Sequence, residues 1–474
     1  MVADVVVTGA DLGEPRLSRI RIRGDDIVAV GSDLHVGGGD EILDAGGGAV
    51  IPGLHDQHVH LYAAAAARRS LRLGPPDVMD RSAFAAELAR ADHALAAGEW
   101  IRAVGYHESV AGPLDRNVLD RLVPHRPVRV QDRSGSVWVL NSAGLDAIGT
   151  LPTHPAGGAG QGVERDATGR PTGRLTRMDG WLAQELAPSS LSLAAVGADA
   201  ARAGVVGFTD ATPLSNSGQL DLLIAAQRAG GIRQRVTVMS APGAAIRVPA
   251  AITLGPVKIV LDDDRLPGFD ELCATMTAAH EARRAVAVHC VTRVQTVLAV
   301  AALTAVGSCG RDRIEHGAVI PDDLLVPLAA LGVTVVTNPG FVADRGDAYL
   351  RDVDPDDVAV LYRCATLREA GVETAAGTDA PFGPADPWRV IQACVERSTA
   401  SGRILGPGER VDPRVALSMF SGSGPSPGTP RRVAPGQPAD LCVLFIPLAD
   451  ALRSPSADNV ALCLIGGAVV ADNR

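Results

Sequence analysis

The first fifty residues alternate short apolar runs with turn residues. The runs lie in ADVVVTGADL, SRIRIRGDDIVAVGSD and EILDAGGGAVIPGL, and Gly, Asp and Ser separate them. This spacing is typical of antiparallel strands joined by turns. The last forty residues repeat the pattern in APGQPADLCVLFI and NVALCLIGGAVVAD. We therefore predict one small β-sandwich built from both chain ends.

The middle of the chain alternates short β-rich runs with longer Ala- and Leu-rich helical stretches, which is typical of repeated βα units around a parallel sheet. The β-rich runs are AVIPGLHDQHVHL, GVVGFTDA, RQRVTVMS, GPVKIVL, RAVAVHC, RDRIEHGAV, GVTVVTNPG and GVETAAGTDA. Eight such strands predict an α/β fold, a (β/α)8 TIM barrel. The active site of such a barrel gathers at the C-terminal ends of the strands.

Residues 61 to about 200 are too long for a single crossover. They contain strand candidates of their own in WIRAVGYHES and PVRVQDRSGSVWVLN. We interpret them as a long insertion after the first barrel strand, over the barrel mouth. The predicted organisation is then residues 1–54 for the N-terminal part of the sandwich, 55–425 for the barrel, and 426–474 for the C-terminal part of the sandwich.

Length and charge narrow the class of protein. A chain of 474 residues exceeds the size at which one compact core stops growing. The net charge of −10 argues against nucleic acid or an anionic membrane as partner, since both need a basic surface. We expect a small-molecule substrate, and we leave open whether the protein is a homodimer.

Three further features predict a cytoplasmic location. The N-terminus lacks a cationic region followed by an apolar run, so no signal peptide is predicted. No apolar stretch approaches the roughly 20 residues of a membrane span. The seven cysteines include no CxxC pair, which is typical of reduced and mostly buried thiols.

Polar residues stand at the ends of several predicted strands. His58 and His60 are spaced i, i+2, so that on a strand both point to one face and can hold one ion. His289 ends AVAVHC, His316 ends RIEHG, and Asp379 follows AAGT. Because the C-terminal ends of barrel strands meet, these side chains are predicted to converge on a metal site.

Lys258 is the only lysine among 44 cationic Lys and Arg residues, and it lies in the fourth strand run. Coding bias alone could leave one lysine in an arginine-rich chain. The chemistry favours a function, because a buried amine can lose its proton and become a site of covalent modification, whereas a guanidinium stays charged. Lys258 therefore joins the predicted site.

These motifs resemble the amidohydrolase superfamily, and within it the amidohydrolase family 3 group related to N-substituted formamide deformylases. The resemblance is carried by PGLHDQHVHL, the lysine of GPVKI, VHC, EHG, GTDAP and the closing PGQPADLCVL, and spans nearly the whole chain. It implies a TIM barrel with a β-sandwich, and a hydrolase acting on carbon–nitrogen bonds other than peptide bonds.

The resemblance also implies roles for the residues at the strand ends. One divalent metal would be held by His58, His60 and Asp379, and a second by His289 and His316. Zinc is the expected metal, with one or two ions bound. Iron and manganese stay open.

Lys258 would bridge the two ions as N6-carboxylysine, because an amine can add carbon dioxide and arginine cannot. A metal-activated hydroxide would attack the carbon of an amide, formamide or cyclic amide. Asp379 would act as general base and then as general acid.

Candidate substrate-binding residues lie mostly in the insertion. They are Tyr106, His107 and Glu108 in GYHES, Arg133 in QDRSG, and Asn338 at the end of the seventh strand. Loops over a rigid scaffold commonly carry such contacts, although solvated polar loops are also common.

Three other residues are candidates for a role near the site or in the fold. Asp56 is a candidate to orient a neighbouring histidine, or to serve the fold. By strand alternation, Glu315 is predicted to face away from the adjacent ligand and to pack in the barrel. Arg397, on the helix after the eighth strand, is a candidate substrate contact.

Two other functions remain open. The first is a deaminase of the same superfamily, with one metal and a heterocyclic substrate, although HCVTRVQT offers no catalytic Glu after the fifth strand. The second is a metal-free barrel that acts as a binding or assembly protein. A metal assay would distinguish the second from an enzyme.

Overall fold

In the computed structural model of the protein, residues 4–152, 162–186 and 191–474 are described. They form two compact units, one of Met1–Leu61 with Ser192–Arg474 and the other of Tyr62–Leu191. The first three residues of the predicted N-terminal segment lie outside the described residues, as do short stretches of the predicted insertion.

The N-terminal segment forms five short strands. These strands are β1 (Val5–Ala10), β2 (Ser18–Arg23), β3 (Asp26–Gly31), β4 (Glu41–Asp44) and β5 (Val50–Pro52). The first four form a sheet in the order β3-β2-β1-β4. In β2, Ser18, Ile20 and Ile22 are buried and the residues between them are not, as expected for a sheet with one face on a core.

The first barrel strand follows, and the chain then enters the second unit. This part contains β6 (Leu54–Val59), α1 (Leu61–Ala67), β7 (Leu71–Arg72), α2 (Arg81–Ala94), β8 (Ile101–Tyr106), α3 (Glu108–Ala111), α4 (Arg116–Leu122), β9 (Val128–Asp132), β10 (Val137–Leu140), α5 (Ser142–Ile148), β11 (Gly162–Arg165), β12 (Pro171–Thr176) and α6 (Asp179–Glu185). The second unit has its own sheet, in the order β11-β12-β10-β9-β8-β7. The strands predicted inside the insertion are thus confirmed as β8, β9 and β10.

Seven more strands complete the barrel. They are β13 (Val205–Leu214), β14 (Arg235–Ser240), β15 (Ile252–Val260), β16 (Val286–Cys290), β17 (Arg313–His316), β18 (Thr334–Thr337) and β19 (Glu373–Ala376). Every neighbouring pair, from β6 through β19, is parallel. The first and last strands meet just beyond β19, where Asp379 N donates to His58 O at 2.8 Å. The predicted eight-stranded barrel is confirmed.

Helices follow the barrel strands. They are α7 (Ala194–Arg202), α8 (Ser217–Arg228), α9 (Phe269–Glu281), α10 (Arg293–Val306), α11 (Leu325–Leu331), α12 (Gly340–Asp352), α13 (Pro355–Val358), α14 (Ala365–Glu369), α15 (Pro387–Glu396) and α16 (Pro413–Ser418). Residues of α9 and α10 such as Leu272 and Leu303 share one apolar core with Ile314 of β17 and Val335 of β18. These helices therefore bury the outer faces of the strands.

The chain ends by completing the sandwich. The last elements are β20 (Leu441–Leu444), α17 (Leu448–Arg453), β21 (Val460–Ile465) and β22 (Ala468–Asp472). The three strands form a sheet with β5 of the N-terminal segment, in the order β22-β21-β20-β5. Ile20, Ile22, Leu441 and Leu462 lie in the shared apolar core. The sandwich built from both chain ends is confirmed.

The cysteines are free, as predicted, and most are buried. Cys309 is exposed and Cys273 is half-buried, while the others are buried. Among the described helices, none is both long and apolar enough to cross a membrane.

Candidate metal centre

Three side chains meet where the first and last barrel strands end. His58 lies on β6, His60 directly follows it, and Asp379 follows β19. Asp379 Oδ1 is 3.6 Å from His58 Nε2 and 3.3 Å from His60 Nε2. One donor atom from each residue lies within 4.8 Å of the other two. Tetrahedral ligands at about 2.0 Å from a zinc ion are separated by roughly 3.3 Å, so these side chains fit one ion with little movement.

The backbone turns sharply at two of the strand ends. His316 has φ of 67° and Asp379 has φ of 55°, in the left-handed region that residues other than glycine rarely adopt. Such conformations cost on the order of 1–3 kcal/mol each and cluster at functional sites. They direct these two side chains toward the centre of the barrel end, where Asp379 Oδ2 is 3.7 Å from His316 Nδ1.

The His58 ring is held in place by the buried ion pair of Glu315 and Arg313. Its Nδ1 contacts Glu315 Oε2, while Arg313 donates through Nε to Glu315 Oε1 at 2.7 Å. Because the carboxylate accepts the Nδ1 proton, the lone pair of His58 Nε2 faces Asp379. Glu315 was predicted to face away from the adjacent ligand, His316, and to pack in the barrel; it is buried there, but its carboxylate contacts His58, a ligand candidate on another strand. The positive φ of His316 interrupts the alternation on which that prediction depended.

The other histidines also have fixed ring nitrogens. His60 Nδ1 lies 3.0 Å from Thr212 Oγ1. His316 Nδ1 donates to Asn338 Oδ1 at 2.8 Å, and Asn338 Nδ2 donates to Gly377 O at 2.8 Å. Both ends of the Asn338 amide are thus engaged in positioning a histidine. Its predicted contact with substrate stays a prediction.

Lys258 lies in β15 and is 3% exposed. Its Nζ has no hydrogen-bond partner among the described residues. Burial lowers the pKa of Lys258, although Glu315 and Asp379 are close enough for their negative charges to oppose the shift. A buried amine without a partner is costly unless some other group binds it. The single lysine therefore stands beside the candidate site with its amine unengaged.

His58 and His316 are held neutral. Burial and the charge of Lys258 lower the pKa of His58 to about 3, and burial lowers that of His316. Burial alone would raise the pKa of Asp379, but its contact with His60 and the nearby rings of His58 and His316 outweigh burial and bring the pKa below its ordinary value. Neutral imidazoles and an ionised carboxylate are the forms that bind metal.

His289 belongs to the same end of the barrel. Its ring centroid is 4.5 Å from that of His316, which in turn is 4.6 Å from that of His58. The structure thus brings together His58, His316 and His289 in a row. His58 Nε2 and Asp379 Oδ1 are buried and make no hydrogen bond within the described part of the chain, as expected for atoms that await a ligand.

Two of the other candidates serve the fold. Asp56 accepts hydrogen bonds from Thr378 N at 2.9 Å and from His58 N at 3.3 Å, so it ties the first strand to the last and does not orient an imidazole. Arg397 is fully buried and donates to three backbone carbonyls, those of Leu361, Tyr362 and Leu405. The prediction that Arg397 contacts substrate was therefore wrong.

The remaining candidate substrate residues lie in the second unit. The Tyr106 hydroxyl donates to the Gly112 carbonyl, and the His107 ring nitrogen accepts from Ser109 N at the start of α3. Glu108 is exposed in the first turn of α3, and Arg133 N donates to Tyr106 O at 2.7 Å. Their role in substrate binding stays a prediction.

Sequence reasoning missed several residues around the site. Thr212 and Arg313 carry no motif, since hydroxyls and arginines at strand ends are common. The ring of Phe382 lies 5.4 Å from that of His60, edge to face. Phe382 stands three residues after Asp379, so proximity along the chain was the one available signal.

Comparison with known proteins shows the family to which the chain belongs. The family model described as "Amidohydrolase family" matches residues 41–471. The N-substituted formamide deformylase of Arthrobacter pascens is 25% identical, with 94% of this chain and 93% of that protein covered. A putative amidohydrolase of Bacillus subtilis, YtcJ, is also 25% identical, over 76% of this chain and 75% of its own length.

Solved structures share the fold. An uncharacterised metal-dependent hydrolase from Pyrococcus horikoshii has a TM-score of 0.69 at 20% identity, with 94% of this chain and 97% of that chain covered. N-isopropylammelide isopropylaminohydrolase from Burkholderia multivorans has a TM-score of 0.56 at 15% identity, with 100% and 99% covered. At these identities the likeness shows a common fold.

Proposed function

The chain belongs to the amidohydrolase family and is a hydrolase of carbon–nitrogen bonds other than peptide bonds, and from that premise we propose that it uses a divalent metal to cleave a small amide, formamide or cyclic amide. Zinc fits the site best, because two imidazoles and a carboxylate are typical zinc ligands.

One observation carries the proposal. The ligand atoms of His58, His60 and Asp379 converge within 4.8 Å, and the buried ones lack hydrogen-bond partners among the described residues. A native protein rarely leaves buried polar atoms unsatisfied unless a water, an ion or a ligand binds them. Because the neutral His58 imidazole and the ionised Asp379 carboxylate adjoin the point of convergence, a cation is the group that fits.

When bound, a divalent cation supplies a water of lowered pKa and a Lewis acid for the substrate carbonyl. The residues of the chain supply the rest. Asp379 takes the proton from the attacking water as the new carbon–oxygen bond forms. The same carboxylate then delivers that proton to the leaving nitrogen as the carbon–nitrogen bond breaks. The products are an acid and an amine.

Glu315 and Arg313 keep the His58 ring in place during these steps. The Glu315 carboxylate fixes the Nδ1 tautomer and, being negative, makes Nε2 a stronger donor toward a cation. Arg313 neutralises Glu315 and also donates to the Gln57 carbonyl at 2.7 Å. This buried chain of contacts therefore positions a ligand without touching the substrate.

Lys258 has the environment that carbamate formation needs. Burial favours the neutral amine, which can add carbon dioxide and release a proton. Lys258 is close enough to His58 and His316 for its charge to lower their pKa values, so the resulting anion would lie beside the predicted ligands. We propose that Lys258 binds metal in this form, with His289 and His316 as ligands of a second ion.

Among possible substrates, N-substituted formamides come first, because a relative that matches 94% of this chain is named for them. The test is a panel of N-acyl amines, cyclic amides and amino-substituted heterocycles, assayed with the purified protein before and after chelation. We expect amine release from a formamide or amide, loss of activity on chelation, and recovery with added zinc. Activity that survives complete removal of metal would refute the mechanism, and ammonia release from heterocycles alone would favour a deaminase.

A further inference from the structure

A second group of metal-binding side chains lies at the other end of the barrel strands. His280 is in the last turn of α9, Cys309 is in the loop after α10, and Asp312 directly precedes β17. One donor atom from each lies within 4.8 Å of the other two. Asp312 is four residues from His316, so about 13 Å of extended strand separates this group from the metal centre.

From this juxtaposition we propose that His280, Cys309 and Asp312 form a second metal site, one that binds zinc or a similar divalent ion through nitrogen, sulfur and oxygen.

The distances suit such an ion. Asp312 Oδ1 is 3.0 Å from His280 Nε2 and 3.3 Å from Cys309 Sγ. Three ligands of a tetrahedral zinc ion, bound at about 2.0 Å for nitrogen and oxygen and about 2.3 Å for sulfur, are separated by roughly 3.3–3.5 Å. Small side-chain movements would bring the donors to those separations. The fourth position is open to water.

The carboxylate is already fixed in place. Val286 N donates to Asp312 Oδ1 at 2.8 Å and Cys309 N donates to Oδ2 at 2.9 Å. Backbone hydrogen bonds of this kind orient metal-binding carboxylates in proteins. Asp312 itself is fully buried, whereas Cys309 is exposed and His280 is partly exposed. An ion from solvent can therefore reach a preformed anionic group.

Charge also favours a cation. Burial alone would raise the pKa of Asp312, but the hydrogen bonds from Val286, Cys309 and His280 outweigh it and keep the carboxylate ionised. Burial and the negative charge of Asp312 raise the pKa of the Cys309 thiol. A bound dication would reverse that repulsion, so that binding releases the thiol proton while the imidazole proton shifts to Nδ1.

The choice of metal follows from the ligands. A thiolate and an imidazole select zinc, cobalt or a similar ion over magnesium and calcium, which prefer oxygen. The ion would connect the C-terminal end of α9, the loop after α10 and the first residues of β16 and β17. We expect this connection to raise the melting temperature when the ion is present.

The test is a cobalt titration of the purified enzyme with its own metal retained. A thiolate-to-cobalt charge-transfer absorption is expected in the wild type, with one ion bound per chain beyond the catalytic metal. The band should be lost in Cys309→Ser and retained in Cys273→Ser, which changes a half-buried thiol on α9. Excess zinc should abolish the band by displacing cobalt.

His280→Gln is expected to weaken binding by at least about tenfold, the loss seen for lesser changes around metal sites. A second measurement does not depend on the cobalt absorption band. Zinc should protect Cys309 of the wild type from alkylation, which peptide mass spectrometry measures. Cys273 serves as the internal reference. No band in the wild type, an equal band in Cys309→Ser, or unchanged affinity in His280→Gln would each overturn the site. None of these readouts depends on the catalytic activity.

Discussion

The β-sandwich and the C-terminal end of the barrel are built on opposite principles. In the sandwich, strands such as β2 alternate between buried and accessible residues, and the core consists of apolar side chains such as Ile20 and Leu462. In the barrel, β6 and β17 are buried along their whole length, and the buried side chains include His58 and Glu315.

The sandwich therefore contributes mainly to the stability of the fold, whereas the barrel end carries the candidate metal centre. The apolar core of the sandwich depends on close packing, since apolar side chains need only a complementary shape. The barrel end instead holds unpartnered polar atoms and two residues at positive φ. Such features cost folding free energy and persist where a ligand or a reaction uses them. Substitutions in the two regions should therefore separate the two properties.

The largest effect is expected for Asp379→Asn. The amide keeps the size of the carboxylate but cannot accept and return a proton, so kcat/KM at saturating zinc should fall about 10³-fold or more. The measurement is steady-state amide hydrolysis, with circular dichroism to verify folding. A variant that is folded, metal-loaded and retains a tenth of the wild-type activity would show that Asp379 is not the proton carrier.

The next effect concerns Glu315→Gln, which should weaken metal binding by about 10–100-fold, because the His58 ring loses its charged acceptor. Metal affinity would be measured by competition with a chelating dye, and activity should recover at high zinc. Glu369→Gln, an exposed residue at the end of α14, is the control. Equal affinities in the two variants would contradict a positioning role for Glu315.

The metal-free protein should lose stability in acid. His58 has a pKa of about 3 in the folded protein and about 6.5 in the unfolded chain, so between these values only the unfolded chain binds the proton. Lowering the pH from 7 to 5 should then reduce the free energy of unfolding by about 2 kcal/mol. Urea denaturation at both pH values measures it. His58→Gln should show a smaller difference, and an identical one would assign the loss to other groups.

The smallest effect is expected for Ile20→Val in the sandwich core. Removing one buried methylene should lower the free energy of unfolding by about 1 kcal/mol. The value of kcat/KM should stay within about twofold, because substitutions away from an active site act mainly on stability. Urea denaturation and steady-state kinetics check the two halves of this prediction. A large fall in activity with little loss of stability would show that the regions are coupled.

Much of the architecture could be predicted from sequence for a local reason. The eight barrel strands and the sandwich strands are marked by apolar runs between turns, and the ligand motifs lie at strand ends, where topology brings them together. That rule predicted that the strand-end residues converge, and the resemblance to the amidohydrolase superfamily implied that His58, His60 and Asp379, which lie together in the structure, share one ion. The direction of the Glu315 side chain could not be predicted in this way, because the positive φ of His316 interrupts the strand alternation from which that direction was predicted.

Arg397 illustrates the same limit. An arginine after the last barrel strand reads equally well as a substrate contact or as part of the fold, since its long side chain can reach either. The structure shows it fully buried with its donors on three carbonyls. Likewise, His280, Cys309 and Asp312 are separated by up to 32 positions, and no spacing rule connects them.

The sequence by itself determined the order of elements, the barrel with its terminal sandwich, and the set of histidines, the carboxylate and the one lysine that converge. Those properties depend on periodicity and on strand ends, which local patterns record. Only the tertiary structure decided which nitrogen of each histidine is free, which groups hold the rings, and which arginine serves the fold. These depend on contacts between residues far apart in the chain and on backbone turns at His316 and Asp379, which no local pattern encodes.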